Sequence, residues 1–301
     1  MSTINQIKSI ANRAIESLNN SNIPWMVNNE SESLGIAFNA SSRRPYNFLN
    51  TFMLRKPGAY FTITYIKQLN AQYGLEGENR ISFAGVHPHT VYQQYPVYQR
   101  DDDGNEIRDD EHIDYFAGTF SKVWHLDELS NVPQEVIDKI NKLYTPAPSR
   151  FLRRLTREFI EGSEHVDSWI SDDTRTYYSF DNRILHTQPM SEYETIDTYY
   201  SYLLHEIFHI IGIGLNWYDE NSQRFVARGE QYNTIELACE IATAMVLAAH
   251  SRTFRPFDSE NYARKWAEAI TADPMMYYKA CMMAYKASKV LVPNMFPDVL
   301  E

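Results

Sequence analysis

The sequence predicts an α+β protein: a small α+β unit over residues 1–130, followed by a mainly helical unit over 149–301. Three observations carry this. Aromatic and β-branched residues concentrate over 81–100 (Val86, Val91, Tyr92, Tyr95, Val97, Tyr98) and return in YFAGTFSKVWHL at 115–126, the composition of paired strands. Pro133, Pro146 and Pro148 punctuate the stretch that follows, which places a boundary near 130–148. Beyond it, apolar residues recur at helical spacing over 149–162, 196–212, 231–250, 259–271 and 274–291.

The remaining elements follow in chain order. Residues 5–19 place Ile7, Ile10, Ala11, Ala14, Ile15 and Leu18 on one helical stripe, which Pro24 and Trp25 end. NASSRRPYNFLNTFMLRKPG at 39–58 is a polar turn leading into an apolar run, and YFTITYIKQLNAQY at 60–73 reads as a strand or the start of a helix. The acidic stretch DDDGNEIRDDE at 101–111 suits a solvated hairpin tip between the two strands. In the second half, TYYSFDNRIL at 176–185 predicts a strand pair turning at Asp181 and Asn182.

Composition excludes several classes. A chain of 301 residues with a 44% hydrophobic share buries a full core, so disorder is excluded. No apolar run approaches the roughly 20 residues of a membrane span, and the first residues lack a secretory signal. Two cysteines, Cys239 and Cys281, give no disulfide framework, so a reducing cytoplasm is the expected compartment. The net charge of -11 is unevenly spread: residues 1–100 carry nine Lys and Arg against five Glu and no Asp, and the rest is strongly acidic. A generally basic nucleic-acid binder is excluded, whereas DNA contact by the first third is not.

The chemistry lies in TYYSYLLHEIFHIIGIG, where His205, Glu206 and His209 form H-E-x-x-H. On a helix, positions i and i+4 share a face, so both imidazoles reach one small cation while Glu206 sits beside it as general base. Asp197 or Thr198 is placed to cap that helix and Gly212 to end it. A catalytic zinc needs a third protein ligand and an open position. Glu236, 27 residues after His209, is the expected ligand, with Glu240 on the same face orienting a histidine from behind. The reverse order of the two glutamates stays open, and His250 and Cys239 are weaker alternatives. Such a site hydrolyses peptide bonds, with the 176–185 segment able to align an extended peptide.

The order of these motifs resembles the ArdC-type antirestriction proteins of plasmids and phages, across nearly the whole chain. IPWM with Trp25 and NASSRRPYNFLN are similar to that family's N-terminal segments. YYSFDNRIL, YYSYLLHEIFHIIG, YNTIELACEIATA and WAEAITADPMMYYKACMMAYKA follow in its order. More distantly, the downstream glutamate resembles the ligand of ImmA/IrrE-type peptidases. The resemblance implies an N-terminal single-stranded-DNA-binding domain, a zincin-like metallopeptidase domain, and a role in protecting incoming DNA. It matches His205 and His209 to the metal histidines, Glu206 to the catalytic glutamate, and Glu236 and Glu240 to a Glu-Leu-x-x-Glu pair. Two departures stand out: the turn GLEGENRISFAG is acidic, with Arg80 its one basic residue, and Arg43 replaces a glycine. Arg43, Arg44, Tyr46, Arg55 and Lys56 form the expected DNA cluster, with Trp25 as a stacking platform. The competing expectations are a DNA- or protein-masking module with a structural metal, and a zinc protease without DNA contact.

Overall fold

The computed structural model describes residues 3–25, 37–54, 56–101, 103–108, 113–143, 149–218, 230–250, 252–254 and 259–293. It is α+β, as the sequence predicts. After helix α1 (Thr3–Asn19), the first half builds strand β1 (Ala37–Asn39), helix α2 (Phe48–Leu54), strand β2 (Gly58–Thr62), helix α3 (Ile63–Gln72) and the long strands β3 (His89–Tyr98) and β4 (Ile113–His125). The four strands form one sheet in the order β1-β2-β4-β3. β1 runs parallel to β2, while β2 and β3 flank β4 antiparallel, so β3 and β4 are the hairpin expected around the acidic loop. The ambiguous 60–73 segment contains both a strand and a helix, divided at Thr62, whose hydroxyl accepts the Tyr65 N–H.

One face of this sheet buries Phe38, Ala59, Phe61 and Trp124 against α3 and against helix α4 (Gln134–Leu143), through Ile66, Leu69, Val136 and Ile140. Helix α4 lies in the stretch read as a boundary, and its two buried side chains belong to the sheet's core. The opposite face buries Ala37, Tyr46, Leu54, Tyr60, Val91 and Val123.

The second half contains helix α5 (Ser149–Gly162), strands β5 (Ser168–Ile170), β6 (Tyr177–Ser179) and β7 (Ile184–His186), and helices α6 (Ile196–Gly214), α7 (Glu230–Ala249), α8 (Ser259–Ala272) and α9 (Pro274–Leu291). These helix bounds lie within two residues of those expected. Helix α7 is buried on nearly all sides, through Leu237, Ala238, Ile241, Ala242, Met245 and Val246, as the central member of a packed group must be. The small sheet has the order β5-β7-β6, with β6 and β7 antiparallel as predicted and β5 an unforeseen third strand.

Helix α1 packs against α8 and α9, and Ile10, Ala11, Ala14, Leu18, Trp25 and Leu49 join the core of the helical half. Two local expectations are corrected. Helix α6 is capped by Thr195, whose hydroxyl accepts the Thr198 N–H at 3.1 Å; Asp197 and Thr198 already lie inside the helix. Gly212 does not end α6, which continues to Gly214. A Cβ at Gly212 would stand 2.5 Å from the Trp217 ring, so glycine there admits the indole as the chain folds back. Cys239 and Cys281 are both buried and unpaired with each other. Among the described residues, no helix is long and apolar enough to cross a membrane.

Candidate metal centre

Two buried helices meet at the site. On α6, His205 and His209 lie one turn apart on the face turned to α7, with their Nε2 atoms 3.0 Å apart. From α7, Glu236 places Oε2 3.4 Å from His205 Nε2 and Oε1 3.4 Å from His209 Nε2. All three donors lie within 4.8 Å of one another. Ligand atoms bonded at 2.0–2.1 Å to a tetrahedral ion stand about 3.3 Å apart. The spacing and the nitrogen and carboxylate donor set therefore fit one small divalent ion.

Further residues hold the imidazoles in place. His209 Nδ1 lies 2.6 Å from the Tyr218 hydroxyl, with Cys239 Sγ at 3.5 Å on the same side. His205 Nδ1 faces Glu240 Oε1 at 4.0 Å. Glu240 is buried, and its Oε2 accepts the Tyr262 hydroxyl at 3.0 Å. Tyr262 in turn accepts the indole N–H of Trp25 at 2.9 Å. Of the weaker candidates, Cys239 sits behind His209, and His250 bonds the Val246 carbonyl and stacks on Phe151.

Glu206 emerges beside the donors at the edge of the small sheet. Its Oε2 accepts the backbone N–H of Tyr178 at 2.9 Å, from β6. Burial pushes its carboxyl up to about 7, against the opposing effects of the His205 charge and the Tyr178 N–H. Burial would lower His205, yet the hydrogen bond to Glu236 and the charges of Glu240 and Glu206 outweigh it and raise the imidazole to about 9. His209 falls to about 4 through burial and the neighbouring His205 charge. For Glu236, burial acts upward, but the two histidines and the Tyr232 hydroxyl bring its carboxyl down to about 2. Burial raises Glu240 to about 7, with His205 and Tyr262 acting against it.

Three tyrosines around this centre escaped the sequence reading. Tyr232 precedes Glu236 by one turn and bonds its carboxylate, a relation the i, i+4 spacing could have signalled. Tyr218 and Tyr262 arrive by chain reversal and by helix packing, for which no spacing rule exists.

The expected DNA cluster is only partly assembled. Trp25 is fully buried, its indole N–H spent on Tyr262, so the stacking role assigned to it is corrected: no base reaches it in this packing. Tyr46 is likewise a core residue, with the Asn39 side-chain amide donating to its hydroxyl at 3.4 Å. Arg43 is exposed on a turn in which the Asn39 Oδ1 accepts the Ser41 and Ser42 N–H groups. At φ 60° it occupies the left-handed region, which explains why glycine suits that position. Lys56 is exposed and pairs with Asp127 at 2.8 Å. Arg55 lies outside the described residues. Arg44 is half-buried near α9, where burial, then the charge of Lys286, then that of Arg44 lower the Lys289 ammonium.

Residues 155–283 match the zincin-like metallopeptidase family MPTase-PolyVal. No curated protein matches the chain by sequence. Among solved structures, the antirestriction protein ArdC of plasmid R388 is similar in its metal-free form, with a TM-score of 0.67 and 22% identity over 96% of this chain and 97% of that one. Its Mn(II)-bound form is similar with a TM-score of 0.65 and 20% identity, over 97% of this chain and 98% of that one. At this identity the likeness is one of fold: the chain has an ArdC-type fold whose C-terminal half carries a zincin-like domain.

Proposed function

We propose that this chain is an antirestriction-type protein that couples a zinc-dependent peptidase site to single-stranded DNA binding. The observation that carries the reading is the convergence of His205, His209 and Glu236 on one point, with Glu206 held beside it by an edge-strand N–H. A structural metal site has no need of that glutamate. Zinc suits two imidazoles and one carboxylate with a position left open, although the ArdC fold is known to take Mn(II) in the R388 protein. Zinc held there supplies Lewis acidity that makes water reactive near neutral pH.

The chain's own residues do the rest. Glu206, with a carboxyl near neutrality, takes a proton from the attacking water and returns it to the leaving amine. The Tyr178 N–H fixes the orientation of that carboxylate. β6 is an edge strand of its sheet, so an extended peptide can lie along it beside Glu206. Tyr232, 42% exposed, donates to the Glu236 carboxylate and so holds the third ligand in place. The two-domain organisation, 1–130 for DNA and 149–301 for the peptidase, is part of this proposal. A peptidase without DNA contact is the second reading, favoured by the burial of Trp25 and Tyr46.

Metal analysis of the purified protein tests the centre. His205→Ala is expected to abolish metal binding, whereas Glu206→Gln retains the metal and loses hydrolysis of a casein or denatured-protein substrate. Glu236→Gln should weaken binding more than Glu240→Gln, and the opposite order would exchange their roles. A single-strand binding assay on the same protein separates the two readings.

A further inference from the structure

We infer that Trp25 and Tyr262 are positioning residues of the metal centre, acting through Glu240 on His205. This rests on the reading of His205, His209 and Glu236 as metal ligands. An indole N–H can only donate, so the 2.9 Å contact from Trp25 obliges the Tyr262 oxygen to accept. The phenol's single proton is then directed elsewhere, and Glu240 Oε2 receives it at 3.0 Å. With Oε2 engaged, Oε1 is the oxygen turned to His205 Nδ1, at 4.0 Å. A proton held on Nδ1 leaves the Nε2 lone pair aimed at the metal.

The chain of contacts is buried at every member: Trp25, Tyr262, Glu240 and His205 are each at most 6% exposed. A buried carboxylate held by a hydrogen bond on one oxygen has its other oxygen oriented, which is what a ligating imidazole requires of the group behind it. Trp25 and Tyr262 are 237 residues apart in sequence, so the contact also fastens the segment after α1 to the metal-bearing half. The docking of the N-terminal segment is thereby coupled to the geometry of the metal ligands.

The test uses the full chain, stripped of metal and titrated with Co(II), whose visible absorption reports ligand geometry. Tyr262→Phe removes one oxygen and keeps the ring; Trp25→Phe removes the N–H donor and leaves the phenol in place. Tyr262→Phe is expected to weaken Co(II) binding by roughly 10- to 100-fold, the usual effect of losing such a partner, and to shift the visible bands. Trp25→Phe should shift the bands in the same direction with a smaller loss, and the double variant should bind no more weakly than Tyr262→Phe alone. Circular dichroism of the metal-free proteins confirms folding, and if Tyr262→Phe does not fold, Trp25→Phe alone decides by its spectrum. Unshifted bands with unchanged affinity, or losses that simply add, overturn the relay. A wild-type chain that takes up no Co(II) overturns the metal-centre reading and the relay together.

Discussion

The hydroxyl of Tyr218 lies 2.6 Å from Nδ1 of His209. An ion bound at Nε2 would leave the ring proton on Nδ1, where the phenol oxygen is placed to accept it. His209 is thus held from behind by a neutral group, whereas His205 is backed by the Glu240 carboxylate. Replacing Tyr218 with Phe removes the acceptor and leaves the ring. Metal affinity is expected to fall by about 10- to 100-fold, measured by competition with a chromophoric chelator. Unchanged affinity would mean that packing alone orients His209.

Tyr218 reaches His209 only because the chain reverses after α6. The Trp217 N–H bonds the Gly212 carbonyl at 2.9 Å, Asn216 takes a left-handed φ of 55°, and the indole lies against Gly212. Gly212→Ala gains about 1 kcal/mol of helix propensity. It also places a methyl 2.5 Å from a ring carbon of Trp217, itself only 7% exposed. The overlap is the larger effect, with a net destabilisation of about 1–2 kcal/mol in urea unfolding and a weaker metal site as Tyr218 is displaced. Equal or higher stability would show that Trp217 swings aside freely.

Metal uptake should depend on pH with a definite sign. His205, raised to about 9 in the metal-free protein, is protonated at pH 7 and must lose that proton before Nε2 can bind a cation. His209, lowered to about 4, and Glu236, lowered to about 2, already present lone pairs at pH 7. Apparent affinity should therefore rise about tenfold per pH unit from near neutrality and level off near pH 9. Isothermal titration in buffers of different ionisation enthalpy counts the proton released. No proton release at pH 7 would contradict the raised imidazole.

These features differ in how far the sequence discloses them. His205, Glu206 and His209 are readable because helical periodicity converts a spacing of four into a shared face, and Glu236 and Glu240 follow by the same rule. The helices of the second half are readable because their apolar periods are long. Strand β5 has three residues, too few for any alternation to register, and it exists because β7 pairs with it. Trp25 looked like a stacking platform because aromatic residues near basic ones suit nucleic acid. Its actual partner, Tyr262, lies on α8, and no local pattern encodes which helix α1 packs against. Arg43 shows the opposite case: its departure from glycine was visible, and the left-handed turn gives the departure its physical meaning.

Single-stranded DNA, if it is a ligand, should now be sought at a different surface from the one sequence suggests. With Trp25 and Tyr46 in the core and Lys56 paired to Asp127, the remaining basic group is Arg44 with Lys286 and Lys289 around the contact of α2 with α9, while Arg43 lies towards Tyr65 and Lys139. Phosphate contacts on single strands contribute about 0.7 each to the salt slope, so the three charges of that group support a total of about 2. Lys286→Ala combined with Lys289→Ala should lower oligonucleotide affinity at low salt and reduce that slope by about 1.4. Trp25→Phe should leave DNA affinity unchanged, because a buried indole cannot stack on a base. Fluorescence anisotropy with the full chain at several salt concentrations is the measurement. Cutting the protein at residue 130 would strip α1 from α8 and α9 and expose Ile10, Ala14 and Leu18, so isolated fragments would report on misfolding as much as on binding. A slope unmoved by the lysine pair would exclude the α9 surface, and a loss of DNA binding in Trp25→Phe would restore the indole to the nucleic-acid interface.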